Sequence, residues 1–90
     1  MKKKLELFYF TACPYCQIVL EALRQTGLEN DVEYLDTSEN PHYRERLLRD
    51  TGRATVPCLY IDGKPMFESR DIAAWIHKYA KEIQDAGPRT

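Results

Sequence analysis

The chain lacks an excess of charge, a long apolar run and an even number of cysteines. Thirteen basic residues against fourteen acidic ones leave a net charge of −1. That balance gives no electrostatic reason to expect nucleic acid or an acidic membrane as the main partner. With 30% charged and 43% hydrophobic residues, neither disorder nor a membrane span is indicated. The most basic cluster, "MKKK", runs into "LELFYF", which is too short for an export core and contains Glu6. A solvated N-terminus leading into a strand is the better reading, and the expected compartment is the cytoplasm. Three cysteines make an awkward number for a disulfide framework, so a close pair plus one spare points to chemistry rather than scaffolding. There is no internal repeat and no linker-like shift in composition. Ninety residues hold one core, expected over residues 1–85, with a loose tail "AGPRT" over 86–90.

What is present reads as alternating strands and helices. "LELFYF" (Leu5 to Phe10) is short and rich in aromatic and aliphatic residues, as a buried strand is. Pro14 suits the first position of a helix, where its missing N–H costs nothing. Ile18, Val19, Ala22 and Leu23 then recur at helical spacing until Gly27. "DVEYLD" (Asp31 to Asp36) alternates like a half-exposed strand. Asn40-Pro41 caps and opens a second helix with Tyr43, Leu47 and Leu48 on its face, ending at Gly52. "VPCLYIDGKPMF" (Val56 to Phe67) predicts two strands turning at Asp62-Gly63, with Pro65 confining the second to a sheet edge. Ser69 can cap a last helix carrying Ile72, Ile76, Tyr79, Ala80 and Ile83 on one side. The first two strands should be parallel with a right-handed crossover. The closing hairpin supplies antiparallel strands, and helices cover both faces of an α/β sheet.

The stretch that carries chemistry is "CPYC" (Cys13 to Cys16). With Pro14 as the first helical residue, Cys13 is the N-cap. Its sulfur can accept hydrogen bonds from the N–H groups of Tyr15 and Cys16, at the positive end of the helix dipole. Both effects favour a thiolate at Cys13 and leave Cys16, one turn in, protonated. A free thiol of pKa about 8.5 is only ~3% ionised at pH 7, and the thiolate is the attacking species in disulfide exchange. Cap and third-position side chains meet, so Cys16 can close onto Cys13. A permanent disulfide across so small a loop would constrain the unfolded chain little. A zinc site needs four ligands, and Cys58, His42 and His77 form no second close pair; no metal is expected.

These motifs resemble the glutaredoxin family over nearly the whole chain. "CPYC" is similar to its dithiol active site, and "TGRATVPCLYIDGKP" (Thr51 to Pro65) to its second signature. The resemblance implies a thioredoxin-like fold, a four-stranded mixed sheet with three helices in the order β-α-β-α-β-β-α. It further implies a cis bond at Val56-Pro57 and glutathione as co-substrate. Position by position it makes Cys13 the nucleophile and Cys16 the resolving thiol. Tyr15, Thr55, Val56 and Pro57 would face glutathione, with the Val56 backbone pairing to it in strand fashion. Arg53 would meet the glycine carboxylate, and Ser69 and Asp71 the γ-glutamyl end at a helix N-terminus. Two positions depart from the family pattern. Phe10 stands where a basic residue is common, and Phe67-Glu68 where Gly-Gly is usual. "FESRDIAAWI" (Phe67 to Ile76) is similar instead to the glutathione-binding half of glutathione transferases, whose Glu-Ser pair implies that Glu68 takes the ammonium group.

The implied activity is thiol–disulfide exchange by a monomer, reducing protein disulfides and protein–glutathione mixed disulfides. Three other readings stay open: a redoxin reduced by a flavoprotein, a metal or iron–sulfur carrier using Cys13, and a glutathione-binding module without turnover. Cys58 reads as a small buried hydrophobe. Trp75 and Tyr79 read as packing groups, and Arg44, Arg46 and Arg49 as the solvated side of the second helix.

Overall fold

Local end signals place the elements in the computed structural model, which describes residues 2–85; the expected tail over 86–90 lies outside them. Strand β1 is Leu5–Tyr9 and helix α1 is Pro14–Thr26. A 3₁₀ turn at Glu29–Asp31 leads into β2, Val32–Asp36. Helix α2 is Pro41–Thr51, β3 is Cys58–Ile61, β4 is Lys64–Met66 and α3 is Ser69–Asp85. Both early helices open on proline behind a side-chain cap, and both close on a glycine in the left-handed region, Gly27 at φ 72° and Gly52 at φ 80°. That conformation costs a residue without Cβ little. At the hairpin Asp62 and Gly63 both have positive φ, as a tight two-residue turn requires.

The sheet order is β2-β1-β3-β4. β1 runs parallel to β2 and antiparallel to β3, with Phe8 opposite both Leu35 and Cys58. Pro65 lies on the edge strand β4, across from Tyr60. This is the thioredoxin-like arrangement that the motifs imply. The ends of β1, β2 and β4 and the start of β3 fall at one end of the sheet, and all three helices begin there.

Two cores lie on either side of the sheet. Leu5, Leu7 and Leu59 pack with Val19, Ala22 and Leu23 of α1 and Ile72, Ile76 and Tyr79 of α3. Phe8, Leu35, Cys58 and Tyr60 pack with Leu47 of α2. Val32 and Leu35 are thus both buried, on opposite faces, because helices cover both sides of β2.

Three expected core or surface assignments differ in the structure. Ile18 is 40% and Leu48 39% exposed, since α1 turns positions 16, 19, 22 and 23 inward and α2 only Leu47. Arg46 is not a solvated side chain. Its guanidinium grips the buried Glu6 carboxylate through two hydrogen bonds of 3.0 and 3.2 Å. It also lies 5.3 Å from the Phe8 ring centroid and 4.9 Å from that of Tyr60. Ser69 is the first helical residue rather than the cap. Glu68, at φ 74°, precedes it and accepts the Ile72 N–H at 2.9 Å. Among the described residues no helix is long and apolar enough to cross a membrane.

Candidate active site

β1 delivers the chain to the sheet end, and a turn closed by the Cys13 N–H on the Phe10 carbonyl at 3.2 Å aims it into α1. Phe10, half-buried, holds this place with its backbone where the family pattern has a charge. Cys13 has extended backbone angles and is the N-cap, as expected from Pro14. Its Sγ accepts the Cys16 N–H at 3.4 Å. Of the two N–H groups expected there, that of Cys16 makes the bond. No bond joins the two sulfurs. Cys13 keeps 5% of its surface exposed and Cys16 none, so only Cys13 can meet an incoming disulfide. Burial pushes the Cys16 pKa up to about 12, and the Cys13 sulfur and the Asp36 carboxylate push the same way. Cys16 therefore stays a thiol at neutral pH. Cys58 is fully buried in the second core, and burial pushes it also up to about 12. It is an inert packing residue.

Beside the pair opens a cleft of about 570 Å³. Tyr15 from the first turn of α1 forms one wall and is 64% exposed. Thr55, Val56 and Pro57 come from the loop before β3, with the Val56-Pro57 bond cis. Glu68, Ser69 and Asp71 come from the start of α3. These residues stand far apart in sequence and meet because both loops lie at the same end of the sheet. Arg53 does not line the cleft. It stacks 4.0 Å over the Phe67 ring and pairs with Glu68 at 3.9 Å. The side chain expected to meet the glycine carboxylate and the one expected to meet the ammonium group thus hold each other. Arg70 lines the cleft as well and was missed in the sequence. Its signal was a cation in the first turn of a helix, where acids are favoured. Among the described residues no group of three or more His, Cys, Asp or Glu side chains could hold a metal ion.

Comparison with known proteins bears on the fold and the family. Residues 7–83 match the family model described as glutathione S-transferase, N-terminal domain. Glutaredoxin-C2 of Arabidopsis thaliana is 36% identical over 78 residues, covering 86% of this chain and 69% of that protein. The chain belongs to the glutaredoxin family. A glutaredoxin of Ricinus communis is 41% identical over 59 residues, 64% of this chain and 58% of that protein. The chain therefore spans rather more than half of that relative's length. Among solved structures, oxidized glutaredoxin 2 from Chlamydomonas reinhardtii superposes with a TM-score of 0.68 at 28% identity, covering 94% of this chain and 83% of that one. The "ES" at Glu68-Ser69 falls inside the stretch matched by the transferase model.

Proposed function

We propose that this glutaredoxin-family chain is a glutathione-dependent thiol–disulfide oxidoreductase of the cytoplasm, working through Cys13 and Cys16 as one domain over residues 1–85. The observation that carries the reading is the cleft of Tyr15, Thr55, Val56, Pro57, Glu68, Ser69 and Asp71 opening beside a capped, marginally exposed sulfur.

In the one-thiol route the Cys13 thiolate attacks the glutathione sulfur of a protein–glutathione mixed disulfide. The protein leaves as a thiolate and takes up a proton. Cys13 now carries the glutathionyl group, and a second glutathione thiolate attacks that sulfur. Oxidised glutathione departs and the Cys13 thiolate is restored. In the two-thiol route Cys13 attacks a protein disulfide, and Cys16, having lost its proton, attacks Cys13 and expels the protein thiolate. The resulting Cys13–Cys16 disulfide is reduced by two glutathione molecules. Burial keeps Cys16 protonated until a sulfur bonded to Cys13 offers it a leaving group.

Glutathione would lie along the Thr55–Pro57 loop, its cysteine backbone pairing with Val56 like an added strand. Its γ-glutamyl carboxylate would sit at the α3 N-terminus near Ser69, its ammonium at Glu68 and Asp71. On entry the Arg53–Glu68 pair would part, freeing Arg53 for the glycine carboxylate. An exposed pair of this kind costs less than about 1 kcal/mol to break, so it does not bar the site.

The test is deglutathionylation of a model mixed disulfide by wild type, Cys13→Ser and Cys16→Ser, with glutathione or a flavoprotein reductase as the electron source. The expected result is turnover with glutathione, none in Cys13→Ser and retained turnover in Cys16→Ser. Activity in Cys13→Ser would overturn the site. Turnover with the flavoprotein alone would overturn the dependence on glutathione.

A further inference from the structure

Beyond the ends of β1 and β2 the chain leaves the sheet toward opposite faces. α1 covers the face of Leu5 and Leu7, and α2 that of Phe8 and Leu35. Neighbouring parallel strands whose connections part in this way leave a crevice, and such crevices are where α/β sheets take ligands. Here it is a cleft of about 470 Å³ lined by Tyr9, Tyr34, Tyr43, Asp36 and Glu39, with Thr11 beside them. In the strand order it lies on the β2 side of β1, whereas the glutathione cleft is built on the β3 and β4 side. The two clefts therefore flank the turn that carries Cys13, and Thr11 stands two residues before that cysteine.

The lining has a defined chemistry. The Tyr9 and Tyr34 rings meet edge to face, centroids 5.8 Å apart. Tyr34 is anchored by its hydroxyl, which donates to the Glu29 carbonyl at 2.7 Å. The Asp36 carboxylate is oriented by the Ser38 N–H at 2.8 Å and the Ser38 hydroxyl at 2.6 Å. Among the described residues no basic side chain forms a salt bridge with Asp36 or Glu39, as is also true of Glu29, Glu33, Asp71, Glu82 and Asp85; Asp36 and Glu39 differ in lining one cleft together with three tyrosines. Two uncompensated carboxylates among three aromatic rings suit an organic cation. The rings attract it through their faces and the carboxylates through charge-assisted hydrogen bonds.

We propose that this cleft receives the lysine or arginine side chain of a substrate polypeptide whose disulfide-bonded cysteine is engaged at Cys13. The proposal rests on the oxidoreductase reading, in which glutathione fills one cleft and the polypeptide must lie beyond it. A free amine could offer the same group, but the position beside the reacting sulfur favours one attached to the substrate.

Two glutathionylated peptides test it, one with Lys and Arg beside the cysteine and one with norleucine and citrulline there. The expected kcat/KM for the basic peptide is roughly tenfold higher, chiefly through KM, the effect of about 1.4 kcal/mol of binding. Asp36→Asn with Glu39→Gln keeps the Ser38 contacts and removes the preference, read as the ratio of the two peptides' kcat/KM within each variant, so that any effect of Asp36 on the Cys16 thiol cancels. Glu33→Gln, an exposed carboxylate elsewhere on β2, keeps the preference. Agmatine inhibits the basic peptide competitively and the neutral one hardly at all. Equal rates for the two peptides in wild type, or a preference surviving in the double variant, overturn the proposal and leave the enzymatic reading standing. Agmatine binding without any peptide preference overturns it in favour of a free amine. Failure of both peptides to react sinks the enzymatic reading and this one with it.

Discussion

Replacing Arg46 by methionine should destabilise the fold by about 2–3 kcal/mol. The Glu6 side chain is 6% exposed and that of Arg46 32%. Stranding one member of a fully buried ion pair costs about 3–5 kcal/mol. Here the exposed third of Arg46 lets water reach the guanidinium, and we discount that figure to about 2 kcal/mol. Loss of the cation over Phe8 and Tyr60 adds roughly 0.5–1 kcal/mol. Methionine preserves much of the apolar stem, so packing loss is small. In a chain of this size the Tm should fall by about 10–20 °C, and in urea the midpoint should drop with the slope unchanged. The decisive arm is a double-mutant cycle. Glu6→Leu with Arg46→Met leaves no buried charge and should be at least about 1 kcal/mol more stable than the sum of the singles implies. Additivity within about 0.3 kcal/mol, or a loss below about 0.5 kcal/mol in Arg46→Met, a value ordinary for surface substitutions, would refute the reasoning. The pair would then be a contact without consequence, and α2 would be held to β1 by Leu47 and its apolar neighbours alone.

Three further outcomes follow from the same geometry. With its pKa at about 12, Cys58 should have about 10⁻⁴ of its population as thiolate at pH 8, so iodoacetamide should label it in Cys13→Ser/Cys16→Ser no faster than the chain unfolds; prompt labelling of folded protein would refute its burial. The reduced protein should lose stability as pH rises from about 9 toward 12, because the unfolded chain releases the Cys16 and Cys58 protons first and the folded chain holds them. Each thiol contributes a slope of about 1.4 kcal/mol per pH unit, and Cys58→Ala, followed by urea unfolding across that range, should remove about half of the two-thiol slope. Glu68 sits at φ 74°, so Glu68→Gly should stabilise the fold by about 0.5–1 kcal/mol while weakening glutathione binding measured by calorimetry; a destabilised variant, or unchanged affinity, would contradict its place in the cleft.

Much of the site was legible because its signals are local. Cys13 as a cap follows from Pro14, and the shielding of Cys16 follows from its place one turn later. The residues of the cleft proposed for glutathione were reached through the family motif, since Tyr15, Thr55 and Ser69 share no periodicity or spacing that would bring them together. Arg70 escaped because a cation in a helix's first turn reads as an exposed surface charge. The second cleft escaped for a different reason. Tyr9, Asp36 and Tyr43 belong to three elements, and each alone reads as an ordinary strand or helix residue.

Element ends and the cysteine geometry were set by the sequence itself, through interactions spanning two to five residues: Asn40 capping the N–H of His42, the left-handed glycines, and the turn at Asp62-Gly63. Tertiary structure alone decided which side of each element faces inward and what lies opposite. Glu6 and Arg46 are forty positions apart, and nothing near either residue indicates the other. Whether Arg46 points to water or into the sheet depends on how α2 is rotated as it packs Leu47 against Phe8 and Leu35. That rotation minimises exposed apolar area over two whole elements, a quantity no short window of residues contains.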